Sequence, residues 1–458
     1  MRSNACGRKS LSTLLSVAFV ATSVCALRAQ EETPDVQAPP RLVAPVVGEQ
    51  AVTEIGADVE APSIPSPPAT IQKASAGEAV AEQQAELSSP EATDDVSAPP
   101  SGEAASERQL KPGVQSVLSA YEKAQTAETL QEYADIIDLC AAARQAELSE
   151  KFATYARELS SWALNRRGEL LAEQSHVERA AEAFRLAIVE NTENWRAVHN
   201  LAVSQAQAGR RDDAIAGFAR TIELNPKFVN AYFNRGELSY EAGEYKQAIE
   251  DYNEALKLAP KDAQIRNSRG HAYHQLGEFR RAVIDFTLAI KYDNGNAEAM
   301  ANRGDVYLQL GFYKYAIHDF LQAIDTDPQL ARAYQSAAWL MATCPKEEFR
   351  DAEGAVEAAI TAIKLSGGQD PQDFDTLAAA LANAGRFEQA QKAATKAIQL
   401  SPAGAEEPFA ARLALYTQNQ PYRSTPQPLD ENPELRPDPA EIQQSSFEEP
   451  PHPDSVGQ

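Results

Sequence analysis

An alanine recurs every 34 residues through the middle of this chain, at Ala180, Ala214, Ala248, Ala282 and Ala316. An aromatic ring follows four residues after each: Phe184, Phe218, Tyr252, Phe286 and Phe320. Three residues further on stand Ala187, Thr221, Ala255, Ala289 and Ala323. Glycines keep the same step at Gly209, Gly243, Gly277 and Gly311, and Pro226, Pro260 and Pro328 close several of the units. A period this fixed restricts the chain to an array of near-identical units, each stacked on its neighbours. The ladders say what a unit is. Small residues mark a close helix crossing, and the aromatic fills the gap beside it. Glycine ends the first helix in a left-handed turn, and proline ends the second. Each unit is therefore helix, turn, helix, with too much apolar surface to stand alone.

The ends of the chain have another character. Of the formal charge of −24, residues 31–110 carry −12 and residues 424–458 carry −7. The first stretch has 11 prolines and no Phe, Trp or Tyr; the second has 8 prolines. Such segments cannot bury enough apolar area to offset their ordering entropy, so both are predicted to be disordered. The mildly acidic middle offers no basic stripe that could track a phosphate backbone, which argues against nucleic acid as a partner. Residues 1–29 read as an export signal: Arg2, Arg8 and Lys9 precede an apolar run from Leu11 to Leu27, with Ala26 and Ala29 as cleavage positions. The run is short of the ~20 apolar residues of a spanning helix, so cleavage is expected. A retained signal anchor is the alternative, and only retention implies a membrane. Cys6 and Cys25 leave with the signal; Cys140 and Cys344 are too far apart in a stack to meet, which removes a disulfide framework and a cysteine-based zinc site.

The run Ala231-Tyr232-Phe233-Asn234-Arg235-Gly236, followed by Gly243-Glu244-Tyr245 and Ala248-Ile249, resembles the tetratricopeptide repeat. In that register units span 161–194, 195–228, 229–262, 263–296, 297–330, 331–368 and 371–404. The resemblance implies an all-α, right-handed superhelical solenoid of about seven helix-turn-helix units with flanking disordered segments. Before the array lies the linker 30–111 and a helical segment 112–160, a candidate degenerate repeat whose apolar face is read as Leu118, Tyr121, Leu130, Tyr133, Ile137 and Leu139. After it come a capping helix in 405–423 and the tail 424–458. Ser175 stands where glycine is usual, and residues 343–351 lengthen the turn of the sixth unit by about five residues, with Pro345 stopping one helix and Asp351 placed to cap the next. That insertion looks like one in a group of exported bacterial repeat proteins.

The chain has no nucleotide-binding loop, nucleophile elbow or metalloprotease helix motif. His271 and His274 have metal-like spacing but no third ligand, so no metal, cofactor or catalytic residue is assigned and no enzyme is expected. In the family the first helices line a concave groove that holds peptides or partner proteins. Carried across position by position, the groove residues are Asn200, Phe233, Asn234, Glu237, Tyr240, His271, His274 and Asn302. The asparagines would bond a ligand's backbone amides, and the rings would anchor it. If an acidic partner group faced the imidazoles, binding should strengthen toward pH ~6. Arg196 is the one cation read into the lining of the central units, and Arg167, Arg235, Arg269 and Arg303 are read as structural. The expected function is an exported scaffold, periplasmic or secreted, that binds a protein or peptide partner in its groove. The alternative is a cell-envelope spacer or anchor with no groove ligand.

Overall fold

The computed structural model describes residues 111–425; the expected signal, almost all of the linker, and the tail from 426 onward lie outside them. Among the described residues there are seventeen α-helices, one short 3-10 turn and no strand. They form two compact bodies that divide between Leu258 and Ala259. The first body holds α1 (Pro112–Ala124), α2 (Leu130–Arg144), α3 (Glu150–Glu173), α4 (Val177–Glu190), α5 (Trp195–Gln207), α6 (Arg211–Leu224), α7 (Val229–Glu241) and α8 (Tyr245–Leu258). The second holds α9 (Ala263–Gln275), α10 (Phe279–Tyr292), α11 (Ala297–Gln309), α12 (Tyr313–Thr326), α13 (Ala331–Thr343), α14 (Ala352–Ser366), α15 (Pro371–Asn383), α16 (Phe387–Leu400) and α17 (Glu407–Thr417). Each body is an all-α solenoid of helix pairs. Among the described residues no helix is long and apolar enough to cross a membrane.

Within a pair the helices approach closely because one has no side chain at the crossing. A Cβ added to Gly168, Gly236, Gly270 or Gly304 would lie 2.5–2.8 Å from the ring of Phe184, Tyr252, Phe286 or Phe320. The ring of the second helix thus rests on the bare backbone of the first. In the pair α5/α6 the small residues are exchanged: Ala202 takes the first-helix position, and a Cβ added to Gly217 opposite would lie 2.6 Å from that methyl group. The alanines of the ladder, from Ala180 to Ala316, are fully buried. The turn glycines Gly209, Gly243, Gly277 and Gly311 have φ of +71°, +78°, +74° and +75°, and Ser175 is held in the same region at +62°.

Caps fix the helix starts. Side chains of Asn194, Asp262, Asn296 and Asp351 accept hydrogen bonds from backbone N–H groups three residues on, at 2.8–3.2 Å. In the long turn, α13 stops at Thr343, Glu347–Phe349 forms the 3-10 turn, and Asp351 caps α14.

In the N-terminal segment the buried core is centred beside most of the residues read from the sequence. Of the six residues assigned to its apolar face only Tyr133 is buried; the core there is Val114, Val117, Ala120, Ala124, Ile136, Cys140 and Ala143. Phe152, Tyr155 and Leu159 of α3 complete that core, and Leu118, Tyr121, Ile137 and Leu139 are half-buried and pack against its edge. With no breaker between 150 and 173, α3 is one helix of 24 residues that runs past residue 160.

Two measurements check this packing. A non-glycine residue in the left-handed region costs roughly 1–2 kcal/mol, so Ser175→Gly should raise the urea midpoint by a stabilisation of about 1 kcal/mol with the slope unchanged. Ala282→Leu, which overfills a crossing with no free space, should destabilise the fold by ~1–3 kcal/mol.

Candidate peptide-binding groove

The first helix of each pair touches the first helix of the next within each body, so its remaining face is the one a ligand could reach. In the first body that face is built on α7. Phe233, Glu237 and Tyr240 fall at i, i+4 and i+7 and share one side of the helix. All three are half-buried, as is Asn234. The Phe233 ring leans on Tyr252 with centroids 6.1 Å apart, and Tyr240 leans on Tyr245 at 5.3 Å. The Tyr252 hydroxyl donates to Glu237 Oε1 at 2.6 Å. The aromatic side chains are thus braced from the second helix. Asn200 on α5 is engaged elsewhere: its amide N–H groups donate to Asn165 Oδ1 at 3.1 Å and Glu169 Oε1 at 3.0 Å on α3. His199, one residue before it, is wedged between Phe218 and Phe228 with Nδ1 buried and without a partner, and burial pushes its pKa down to about 4.

The second body carries a polar lattice on the corresponding face. Asn302 on α11 donates to Asn267 Oδ1 on α9 at 2.9 Å and accepts from Arg332 on α13. Arg332 also binds Asp305, and Ser336 Oγ donates to Asp305 Oδ1 at 2.9 Å. Asn302 is only 2% exposed. It ties three first helices together, and its side chain is enclosed by these partners. His271 and His274 do not converge. The His271 ring packs edge-on to Phe286 at 5.6 Å, while His274 Nε2 hydrogen-bonds Gln309 Oε1 at 2.9 Å. Among the described residues no group of three His, Cys, Asp or Glu side chains is placed to hold a metal.

Desolvation, then the neighbouring charges of Arg332 and His274, push the pKa of His271 down to about 3 against the raising effect of its bond to Asn302. His271 therefore stays neutral near pH 6 in the chain by itself.

Behind the groove, the arginines read as structural form a regular set of buried pairs. Arg235, Arg269 and Arg303 each grip an aspartate 16 residues later with two hydrogen bonds: Asp251 at 2.9 and 2.6 Å, Asp285 at 2.7 and 2.7 Å, and Asp319 at 2.7 and 2.9 Å. Asp285 and Asp319 are each 1% exposed. In the unit that begins at 161 the acid is replaced by Ala183, and Arg167 Nε is buried without a partner. The acids were missed in the sequence, although their constant 16-residue offset from the arginines is visible there. Arg332 was missed because an aspartate and an asparagine 27 and 30 residues earlier give no local signal.

With helix pairs, turn glycines and ring-on-glycine contacts in place, family models agree. Residues 236–277 match a model described as "TPR repeat", and residues 267–331 match one described as "Tetratricopeptide repeat". The chain is a tetratricopeptide-repeat protein. A comparison with curated proteins finds no match. Among solved structures, the tetratricopeptide array is similar to PilF of Pseudomonas aeruginosa, at 18% identity over 46% of this chain and 94% of that one, with a TM-score of 0.41. It is also similar to YrrB, described as a TPR protein with an unusual peptide-binding site, at 20% identity over 50% and 98%, TM-score 0.32. A third is MamA of Desulfovibrio magneticus RS-1, at 15% identity over 37% and 96%, TM-score 0.35. As a tetratricopeptide-repeat protein it has the architecture of a scaffold for protein–protein interaction.

Two outcomes follow from the buried groups. Asp319→Ala strands the Arg303 charge and should cost about 3 kcal/mol or more, whereas Arg303→Met with Asp319→Leu should come much closer to wild type in a denaturant titration. For His271, the unfolded chain has the ordinary value of about 6.5 and so takes up a proton that the folded chain refuses. Stability should be level above about pH 6.5 and decline below it; His271→Gln should flatten that decline by about one proton in the linkage slope.

Proposed function

We propose that this protein is an exported scaffold that binds an extended peptide or a partner helix on the concave, first-helix face of its tetratricopeptide array. The observation that carries the reading is the α7 face: Phe233, Asn234, Glu237 and Tyr240 stand half-buried, with both rings braced from behind. Aromatic side chains already held in place lose little freedom when a ligand covers them, and an interface built on such anchors concentrates its energy in a few residues. Asn234 beside them supplies the amide for a ligand's backbone. Export is supported by the basic start, short apolar run and small-residue cleavage positions of residues 1–29; periplasmic or secreted placement follows from it.

Phe233→Ala with Tyr240→Ala should weaken partner binding by ~2 kcal/mol or more, roughly thirty-fold, while circular dichroism keeps its helical signal. The test is a cross-linking pull-down with the full chain. Undiminished recovery of the same partner would contradict the groove reading. N-terminal sequencing of the mature protein from an extracytoplasmic fraction should find a start just after Ala26 or Ala29; an intact residue 1 or 2 would contradict cleavage.

A further inference from the structure

One first helix has no open face. In α15 ten consecutive residues, Asp373 to Ala382, are buried. In α7 only Ala231, Gly236, Leu238 and Ser239 are buried, and in α9 only Ile265, Gly270 and Ala272. Ten residues make nearly three turns, so α15 is covered on every side, including the side that its counterparts leave for a ligand. Most of that cover is α13, α14 and α16, and the chain's own C-terminal segment adds contacts at Asp375 and Asn383. After α17 and its turn, residues 420–425, without regular secondary structure, run back against the ends of α13 and α15.

The contacts of that segment are those of a bound peptide. The Tyr422 ring packs on the Trp339 indole with centroids 5.7 Å apart. Trp339 occupies the repeat position of Glu237 and His271, so the register of the array makes it a groove residue. The Arg412 guanidinium lies 5.5 Å from both rings and is fixed by its Nε donating to Asp375 Oδ1 at 2.7 Å. Arg423 donates from Nη1 to the Ala342 carbonyl at 3.1 Å and from Nη2 to Asn383 Oδ1 at 2.9 Å. The Ser424 backbone N–H donates to the Thr343 carbonyl at 2.9 Å, and its hydroxyl donates to the same oxygen at 3.2 Å. Ala342 and Thr343 end α13, where carbonyls lack helical partners and the helix dipole is negative. Those carbonyls call for a cation and a backbone N–H, while the indole calls for an aromatic ring. The seat therefore reads an aromatic residue, then arginine, then a small hydroxyl residue.

We propose that the face of α13 and α15 is a second peptide seat, specific for an aromatic–arginine sequence, and that Tyr422-Arg423-Ser424 occupies it in cis. A partner segment of this character enters only by displacing the chain's own. This rests on the reading that first-helix faces bind peptides, and it adds the sequence class taken at this end and the device that restricts access. The device differs in kind from the α7 face, where the anchoring rings are braced by the second helix and no other part of the chain is seated on them as Tyr422 is on Trp339.

The probe is a fluorescein-labelled synthetic peptide with the sequence of residues 418–427, titrated against the full chain by anisotropy. Tyr422→Ala with Arg423→Ala, which unseats the segment and leaves α17 unchanged, should bind the probe at least ten-fold more tightly than wild type. Adding Trp339→Ala should abolish that gain, and a probe with its own tyrosine and arginine replaced by alanine should not bind. Equal affinity for wild type and the double variant would overturn the proposal, as would binding indifferent to Trp339. Because the double variant could lose its fold, amide exchange on the unmutated chain gives an independent reading. Excess unlabelled probe should speed exchange over 420–425 and keep α15 protected, whereas unchanged exchange over 420–425 would overturn the proposal. Phe233→Ala with Tyr240→Ala should leave probe affinity unchanged, so failure of the α7 reading and failure of this one are seen separately.

Discussion

An aromatic ring resting on a residue without a side chain sets the distance between the two helices of a repeat, and the rest of the structure depends on that distance. Tyr252 on Gly236, Phe286 on Gly270 and Phe320 on Gly304 bring the backbones as close as the ring allows. A methyl group at the glycine would force the ring aside, and a close-packed interior has nowhere to put it. The pair α5/α6 reaches the same approach by moving the glycine to the other helix, Gly217 against Ala202. What is fixed is the summed volume at the crossing; which helix supplies the small residue is free.

Once the crossing is fixed, the polar groups beside it have a defined geometry to meet. The three arginine–aspartate pairs sit next to the ring-bearing crossings, with each aspartate one residue before its ring. A buried ion pair offsets its desolvation only when the geometry is good and the hydrogen bonds are complete, and the two-point grip of each arginine supplies both. With rings and ion pairs occupying the inter-helix layer, the first helices keep one face free for other work. On α7 that face holds braced aromatics; on α9, α11 and α13 it holds the Asn267–Asn302–Arg332–Asp305 lattice; on α15 the chain covers it itself.

Most of the fold was legible because it is written in a period. Alanine, aromatic and glycine ladders mark the helix pairs and the left-handed turns, and the inserted turn 343–351 marks Asp351 as a cap. The structural reading of Arg235, Arg269 and Arg303 also held, although their acid partners were overlooked. The candidate site was less legible, since a repeat position tells which face a residue lies on and says nothing of what else reaches it. Asn200 and Asn302 stand at equivalent positions, yet Asn302 is enclosed because Arg332 comes across from the next pair. His271 shares its repeat position with Glu237, and the sequence does not show that burial and Arg332 hold its pKa down. Trp339 passed unnoticed for the opposite reason: its partners Arg412 and Tyr422 lie beyond the last repeat, where the period gives no guidance.

That the first-helix face, freed by this packing, receives the partner is tested most directly by site-specific photo-cross-linking in the native fraction. A photoreactive side chain at Asn234 on α7 probes the inner face, and one at Lys246, exposed on α8, probes the outer face. A discrete cross-linked partner from position 234 and none from position 246 is the expected result. Cross-links to the same partner from position 246 alone would contradict it and place binding on the second helices.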